Sequence, residues 1–510
     1  MKLGPKAAAA ALILSTSLAL TACGGGGAAG SNNPGAPKTT TLTLGTVQEI
    51  RSWDPAQAHV GHILQPYQAA YDSLILREPD GKLSPMLATD WKYNDTNTKL
   101  TVDLRTDVTF SDGAKFDAEA AKANLDHFKT ANGPQMAQLT AVSDVAVVDA
   151  DTIELNLTQP DPSLEYYLSQ AAGLMGSPKA LGTEGIKTEP VGSGPYVMDK
   201  AATVKDSQSV FTARKDYWNK DIQKFEKVTF KTLTDLTART NALVSGQVDA
   251  TLLDPKTGKQ AEGAKMKLAS NQVDWQGLLL LDRDGTKNAA LGNVKVRQAI
   301  NYAFDRKTIV DQVLLGQGTP TSQPFGKESG AWTEELENYY SYDPAKAKAL
   351  LKEAGYETGV TLDVPAVPGF ETQLAVIKQQ LNDIGITLNV GAAITNTYTS
   401  DISAQKFTSI LFSLFQGEPW VATNQIISTK ALYNPFKNTT PELQAKIDAV
   451  EKGGKDAGKL AQEVNKYVVE QAWFAPLYRV NQMYYHNSKI AVEPQIQQAV
   501  PSLYNYSPAS

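Results

Sequence analysis

The chain has 510 residues, 48 of them basic and 54 acidic, for a formal net charge of −6. No long block of like charge interrupts it, so it lacks the electrostatic footprint of a nucleic-acid binder. A single cysteine excludes an internal disulfide framework, and a chain of this length must stand on its apolar core instead.

Lys2 and Lys6 make a short basic head, and Ala7 to Leu20 is an apolar run broken only by Ser15, Thr16 and Ser17. That run is too short to span a bilayer and has the layout of a secretory signal over residues 1–22. Leu20-Thr21-Ala22-Cys23 resembles a bacterial lipobox, with Cys23 as the acylated residue and new N-terminus. Acylation needs a thiol, small residues for protease access and a pliable chain behind, and more than one acyl chain is needed for stable anchoring. Residues 23–41, rich in Gly, Ala, Ser, Asn, Pro and Thr, read as a flexible tether. The rest is long enough for roughly three domain-sized units.

Alternation over Thr40 to Gly45 predicts a first strand, and helical spacing over His59 to Leu76 predicts a helix ending near the Pro79-Asp80-Gly81 turn. From Thr98 the period changes to two, with Leu100, Val102 and Leu104 on one face. A turn at Ser111-Asp112-Gly113 leads to a helix over Asp117 to Lys129 that puts Ala118, Ala121, Leu125 and Phe128 inward. Two strands flank Asp149-Ala150-Asp151. A helix over Asp235 to Gly246, a buried strand over Leu278 to Leu281 and one amphipathic helix over Val296 to Leu315 follow. That last helix carries Arg297 and Arg306 on its polar side, solvated or paired. Pro344 to Ala354 is a helix closed by Gly355. A helix over Thr372 to Ile384 and a strand over Thr387 to Val390 come next, and Ser409 to Phe415 is a buried strand leading into a loop. The mixture is α/β, without a tandem repeat.

Several strings occur in one order: Leu87-Ala88-Thr89-Asp90-Trp91; Val108-Thr109-Phe110-Ser111-Asp112-Gly113; Pro190-Val191-Gly192-Ser193-Gly194-Pro195-Tyr196; Arg214-Lys215-Asp216-Tyr217-Trp218; Val296 to Arg306; Tyr342-Asp343-Pro344-Ala345-Lys346-Ala347; and Ala475-Pro476-Leu477-Tyr478. Together they resemble the family 5 extracellular solute-binding proteins, the peptide- and nickel-binding components of ABC importers. The resemblance implies a two-lobed periplasmic-binding-protein-like α/β fold with a small domain inserted in the first lobe. Residues 42–80, 187–273 and 478–510 would form lobe I, 81–186 the insert and 274–477 lobe II, with ligand captured by hinge closure. Most of these strings identify the scaffold rather than a site. Gly192 and Gly194, for example, read as a tight bend needing small or positive-φ residues.

Enzymatic chemistry finds no support. The chain has no His-Glu-x-x-His, Gly-x-Ser-x-Gly or phosphate-binding loop, and its only Cys, Cys23, is taken by the lipobox and offers no nucleophile. Asp282 and Asp284 beside Gly285 read as a turn. His59 and His62, if helical, share a face and could share a metal, but no Cys or third histidine lies nearby. The resemblance puts this stretch at the cleft mouth, where both would contact an organic ligand instead. No metal and no cofactor is expected.

In dipeptide-binding relatives an Arg, in the segment corresponding to Pro365 to Leu374, holds the ligand carboxylate. An Asp in the loop after the strand corresponding to Ser409 to Phe415 holds the amine. Here the first segment has no Arg. The second reads Gln416-Gly417-Glu418-Pro419-Trp420-Val421, with Glu418 as a longer substitute. An unpaired terminus in a closed cleft costs several kcal/mol, which disfavours a dipeptide clamp. Trp275, Gln276, Phe370, Gln416, Trp420 and Asn424 fall in segments that line the cleft in relatives. Aromatic faces with amides suit a longer peptide held by its backbone, or a sugar stacked on Trp; Trp420 follows a glycine-containing loop rather than sitting inside a strand. The expectation is a monomeric lipoprotein outside the cytoplasm, partnered by an ABC permease and ATPase and by the membrane through its anchor, and binding no nucleic acid. Its ligand would be an oligopeptide or related small solute. An oligosaccharide or metal complex as cargo, or a sensor built on the same cleft, are the alternatives.

Overall fold

The computed structural model describes residues 39–509 apart from 395–396 and 454–455. The leader, Cys23 and all of the tether before Thr39 lie outside the described residues. Among the described residues no helix is long and apolar enough to cross a membrane.

Two sheets organise the described chain. The first has seven strands in the order Lys267–Ala269, Met483–His486, Ala250–Leu253, Thr41–Thr46, Lys227–Thr232, Gln208–Ala213 and Tyr196–Met198. Its central strand, Thr41–Thr46, runs parallel to both neighbours, so Leu42 and Leu44 are fully buried. The second sheet is antiparallel, in the order Gly318–Pro320, Phe474–Asn481, Gln272–Leu280 and Ser409–Phe415. The chain passes from the first sheet to the second between Ala269 and Gln272, and returns between Asn481 and Met483.

Burial on both faces explains the apolar run at Leu278 to Leu281. Leu278 and Leu280 join a core with helices Val294–Tyr302, Pro344–Glu353 and Glu371–Asn382. Leu279 and Leu281 join a separate core with helices Pro419–Ile426, Pro441–Glu451 and Ala457–Glu470. Period-two side chains on one strand thus serve two layers.

A four-stranded antiparallel sheet, Ala88–Tyr93, Lys99–Leu104, Thr152–Leu157 and Val142–Val147, lies between two passages of the chain through the first sheet. Leu100, Val102 and Leu104 face inward as their alternation predicts, and the helix Ala118–Thr130 covers them with Ala118, Ala121, Leu125 and Phe128 buried. Asp117 caps this helix, its carboxylate accepting from Ala120 N at 2.9 Å. Asp117→Ala is expected to cost about 1 kcal/mol in urea unfolding; an unchanged midpoint would mean the cap contributes nothing.

Two local readings need correction and two are sharpened. The helix expected over His59 to Leu76 is only Leu64–Ala70; Tyr71 turns extended, and Ile75–Arg77 pairs as a strand with Leu83–Pro85 around Gly81. The single helix over Val296 to Leu315 is two, Val294–Tyr302 and Arg306–Val313. Asp305 breaks it by capping the second, accepting from Thr308 N at 3.0 Å, while the apolar spacing runs on through Ala303 and Phe304. The loop after Ser409–Phe415 is short, because Glu418 caps and Pro419 opens the helix Pro419–Ile426. Of the two reasons for glycine at 192 and 194, small size holds and positive φ does not. A Cβ there would stand 2.2 Å from the Tyr71 ring and 2.4 Å from Tyr71 N, so close approach to the end of Leu64–Ala70 demands glycine.

Arg297 and Arg306 are buried, not solvated. Arg306 donates from Nε to Thr321 O at 3.0 Å and Pro476 O at 2.7 Å, and from Nη1 to Asn301 O at 3.0 Å and Tyr340 O at 2.9 Å. Arg297 serves the carbonyls of Leu291 and Gln471 in the same way. A helical wheel puts them on a polar face; tertiary structure fills that face with carbonyls of passing loops, which a guanidinium fork can satisfy together.

Candidate functional site

The site follows from where the chain changes sheets. Gln272 donates from Nε2 to Thr319 Oγ1 and Asn481 Oδ1, both at 2.8 Å, tying the outgoing strand to the returning one. Asn271 donates from Nδ2 to Gln498 O at 3.0 Å and to Gln495 O. Segment 494–498 is therefore pinned to the crossing. On its other side Ile496 N donates to Pro79 O at 3.0 Å and Gln495 Nε2 to Glu78 O at 2.6 Å.

Arg77 completes this seam. It is 7% exposed, its Nη1 donating to Ile496 O at 2.9 Å and its Nη2 to Gln497 Oε1 at 2.7 Å, with the guanidinium 5.1 Å from the centre of the Tyr166 ring. Burial lowers its pKa, with Tyr166, Asp80 and Glu418 opposing. Gln497 then reaches across to Glu328 O at 3.2 Å.

Two cavities border the seam. One, of about 20 Å³, is lined by Gly61, Gln65, Gln68, Arg77, Gln498 and Tyr504 among others and has room for one or two waters. The other, of about 300 Å³, lies between Asn271 and Gln272 at the crossing, Gly326 to Ser329 and Gln416 of the second-sheet lobe, and Pro494, Ile496 and Gln497. Its size suits a small ligand.

Beside it the inserted sheet's lobe meets the second lobe. Ser163 Oγ donates to Glu418 Oε2 at 2.6 Å, and the same oxygen caps its helix from Val421 N at 2.7 Å. Asp161 accepts from Ser163 N at 3.0 Å. Gln159 donates to Glu451 Oε1 at 3.0 Å and accepts from Lys430 Nζ at 3.1 Å. Burial raises the Glu418 carboxyl and pushes Asp161 up to about 7, Asp161 being raised further by Glu418 and Glu451.

The side chains singled out from the sequence scatter over this frame. Gln416 lines the larger cavity and Glu418 holds the junction beside it. Trp275 and Trp420, 0% and 3% exposed, are core residues of the second lobe; Trp420 follows the short glycine-containing loop and sits in the first turn of the helix after it. Gln276 accepts from Tyr478 OH at 2.7 Å. Phe370 stacks on Phe412 with centroids 6.4 Å apart, and Asn424 is half-buried on Pro419–Ile426. His59 is exposed and lines a surface hollow with Arg51, Tyr67 and Pro134; His62 is half-buried, its pKa lowered by burial and then by His59 and Arg239. Both precede the helix Leu64–Ala70, so they share no helical face. Among the described residues no group of three or more His, Cys, Asp or Glu is placed to hold a metal.

Sequence reasoning missed Arg77, Asp161, Ser163, Asn271 and Gln497. The run Gln495-Ile496-Gln497-Gln498 was the visible signal, since so many amides in one short segment need partners. Arg77 lies between the helix expected to Leu76 and the turn at Pro79-Asp80-Gly81, where nothing local points to its partners.

Two lobes joined by paired crossing segments, with a ligand-sized cavity at the crossing, have the layout of a cleft-type binding protein. The chain belongs to the family described as bacterial extracellular solute-binding proteins, family 5, whose middle region matches residues 82–431. It is 30% identical over 335 residues to the glutathione-binding protein GsiB of Salmonella paratyphi A, a match spanning 63% of each chain. Among solved structures, HbpA2 from Haemophilus parasuis superposes with a TM-score of 0.81 at 20% identity, covering 92% of this chain and 100% of that one. The DppA binding protein from Helicobacter pylori, in complex with the peptide STSA, does so with a TM-score of 0.74 at 19% identity, covering 92% and 98%. These likenesses establish the two-lobed fold.

Proposed function

We propose that the chain is the extracytoplasmic receptor of an ABC importer, capturing an oligopeptide or related small solute between its lobes and handing it, chemically unaltered, to a permease and ATPase. The observation that carries this reading is the family 5 match over residues 82–431, together with a ligand-sized cavity where the two sheets exchange strands. Relatives named for glutathione and a neighbour solved with a peptide support a peptide-like cargo. The lipobox resemblance at Cys23 supports a membrane anchor, and residues 42–80, 187–273 and 478–510, 81–186, and 274–477 remain our division into lobe I, insert and lobe II. The bond from Ser163 to Glu418 would hold the inserted sheet's lobe against the second lobe once ligand is captured.

Native mass spectrometry of protein purified without refolding tests the cargo. A bound peptide is the expected result; a bound oligosaccharide or metal complex would overturn the peptide assignment while leaving the receptor role standing.

A further inference from the structure

The inserted sheet and the second lobe touch without sharing a core. Leu100, Val102, Leu125 and Leu164 of the insert pack in one apolar cluster with Leu42 and Phe230 of the first sheet. Ile447 and Val450 of the helix Pro441–Glu451 belong to the separate cluster around Trp420. Among the described residues no apolar cluster spans the two. The insert is thus built into the body of the first sheet. Its contact with the second lobe is polar instead, the kind of interface across which domains move.

That contact extends past the bond from Ser163 to Glu418. Gln159 bridges two charged groups of the second lobe, donating from Nε2 to Glu451 Oε1 at 3.0 Å and accepting at Oε1 from Lys430 Nζ at 3.1 Å. An amide suits both, because it offers a donor to the carboxylate and an acceptor to the ammonium. Asn97, at a φ of 53° in the hairpin between Ala88–Tyr93 and Lys99–Leu104, donates from Nδ2 to Lys452 O. Beside it a Cβ on Gly453 would stand 3.0 Å from Pro162 Cβ, so these two residues meet with no room between them. Polar bonds at a half-exposed rim are individually weak, and a few of them can be made and broken together.

We infer that Asn97, Gln159 and Pro162 form a clasp on the insert that grips Glu451, Lys452 and Gly453 when the protein closes, and releases them when it opens. The polar groups of the clasp are committed to one another. It therefore acts on any captured solute through the closed population, and not through recognition. This gives the inserted sheet a task of its own, as the jaw that the second lobe closes against. The inference rests on the receptor reading above for its purpose.

The test needs no ligand, so it fails or succeeds separately from that reading. The full chain carries Pro162→Cys and Gly453→Cys, with Cys23→Ser so that one thiol pair remains. Their close approach suits a disulfide, whose Cβ atoms lie about 3.5–4.5 Å apart. Diamide is expected to link the pair within each molecule, read as a gel-mobility shift that dithiothreitol reverses. Small-angle X-ray scattering is expected to give the linked protein a smaller radius of gyration than the reduced one, which samples open forms. Gln159→Glu sets a second carboxylate against Glu451 and is expected to slow the linking about fivefold or more, as the loss of one such bond implies. Failure to link would mean that the segments do not meet in solution. Linking without a change in radius of gyration would make the seam a permanent contact. Equal linking rates with and without Gln159→Glu would remove Gln159 from the clasp. Each of these results overturns the inference and leaves the receptor reading standing. Should the Pro162→Cys, Gly453→Cys chain not fold by circular dichroism, Asn97→Cys with Lys452→Cys reports on the same seam.

Discussion

Replacing Asp72 with Asn is expected to flatten the protein's stability between pH 5 and pH 8 by about 2–3 kcal/mol relative to wild type. Asp72 is 0% exposed. It accepts from Tyr217 OH at 2.7 Å and Trp218 Nε1 at 3.0 Å, and has no ion-pair partner among the described residues. Burial pushes its carboxyl up to about 7 from an ordinary 3.8, against the pull of Trp218, Tyr217, Arg214 and Ser193. The folded state therefore keeps a proton that the unfolded chain releases. That contribution is full below about pH 3.8, shrinks as pH rises, and is gone above about pH 7. His62 and His486, both lowered chiefly by burial, act in the opposite sense below their ordinary 6.5. The difference between wild type and Asp72→Asn removes them from the comparison. Asparagine keeps one acceptor, and the Tyr217 hydroxyl can turn to accept from the new amide. Urea unfolding at the two pH values gives the answer; parallel losses in both proteins would place the pH dependence elsewhere.

The second large effect concerns Glu418. Glu418→Ala is expected to weaken ligand binding ten- to a hundredfold, or about 1.4–2.8 kcal/mol. It strips the partner from Ser163 Oγ across the junction and from Val421 N at the start of Pro419–Ile426. A bond to a charged acceptor contributes about 1.5–3 kcal/mol, and a lost cap about 1 kcal/mol. The cap loss appears in thermal stability and the junction loss in affinity, so both are measured. Glu418→Gln retains an acceptor and should bind nearly as wild type.

The same junction predicts a direction with pH. Glu418 and Asp161 face each other with Glu165, Glu451 and Asp448 nearby, while Arg77 and Lys430 supply the positive charge. Burial raises both carboxyls while the junction is made, so making it takes up protons, and affinity is expected to fall as pH rises toward about 7. Glu418→Gln should reduce that slope. If Glu418→Ala binds as tightly as wild type, the junction is a passive contact.

Much of the fold was legible because it depends on short-range periodicity. The alternation of Leu100, Val102 and Leu104 and the spacing of Ala118 to Phe128 each describe a local element that tertiary packing left intact. The failures share one cause. A continuous apolar stripe from Val296 to Val313 does not reveal that Asp305 interrupts the backbone beneath it, because the break spares the stripe. Apolar residues from His59 to Leu76 are buried whether the chain is helix, turn or strand.

For the site, the sequence by itself determined the scaffold. Its ordered strings placed the chain in a two-lobed family, and its missing Arg over Pro365 to Leu374 argued against a dipeptide clamp. Only the tertiary structure decided which polar groups meet. Arg77 and Gln497 are 420 positions apart, Ser163 and Glu418 are 255 apart, and Asn271 reaches Gln498 over 227. No local pattern encodes such pairings, because a hydrogen bond reads distance and direction in space and not separation along the chain. Aromatic residues are ambiguous in sequence for the complementary reason. Trp275 and Trp420 have the chemistry of a stacking platform, but a large apolar ring gains more from a closed core than from a wet cleft, and here the core has both.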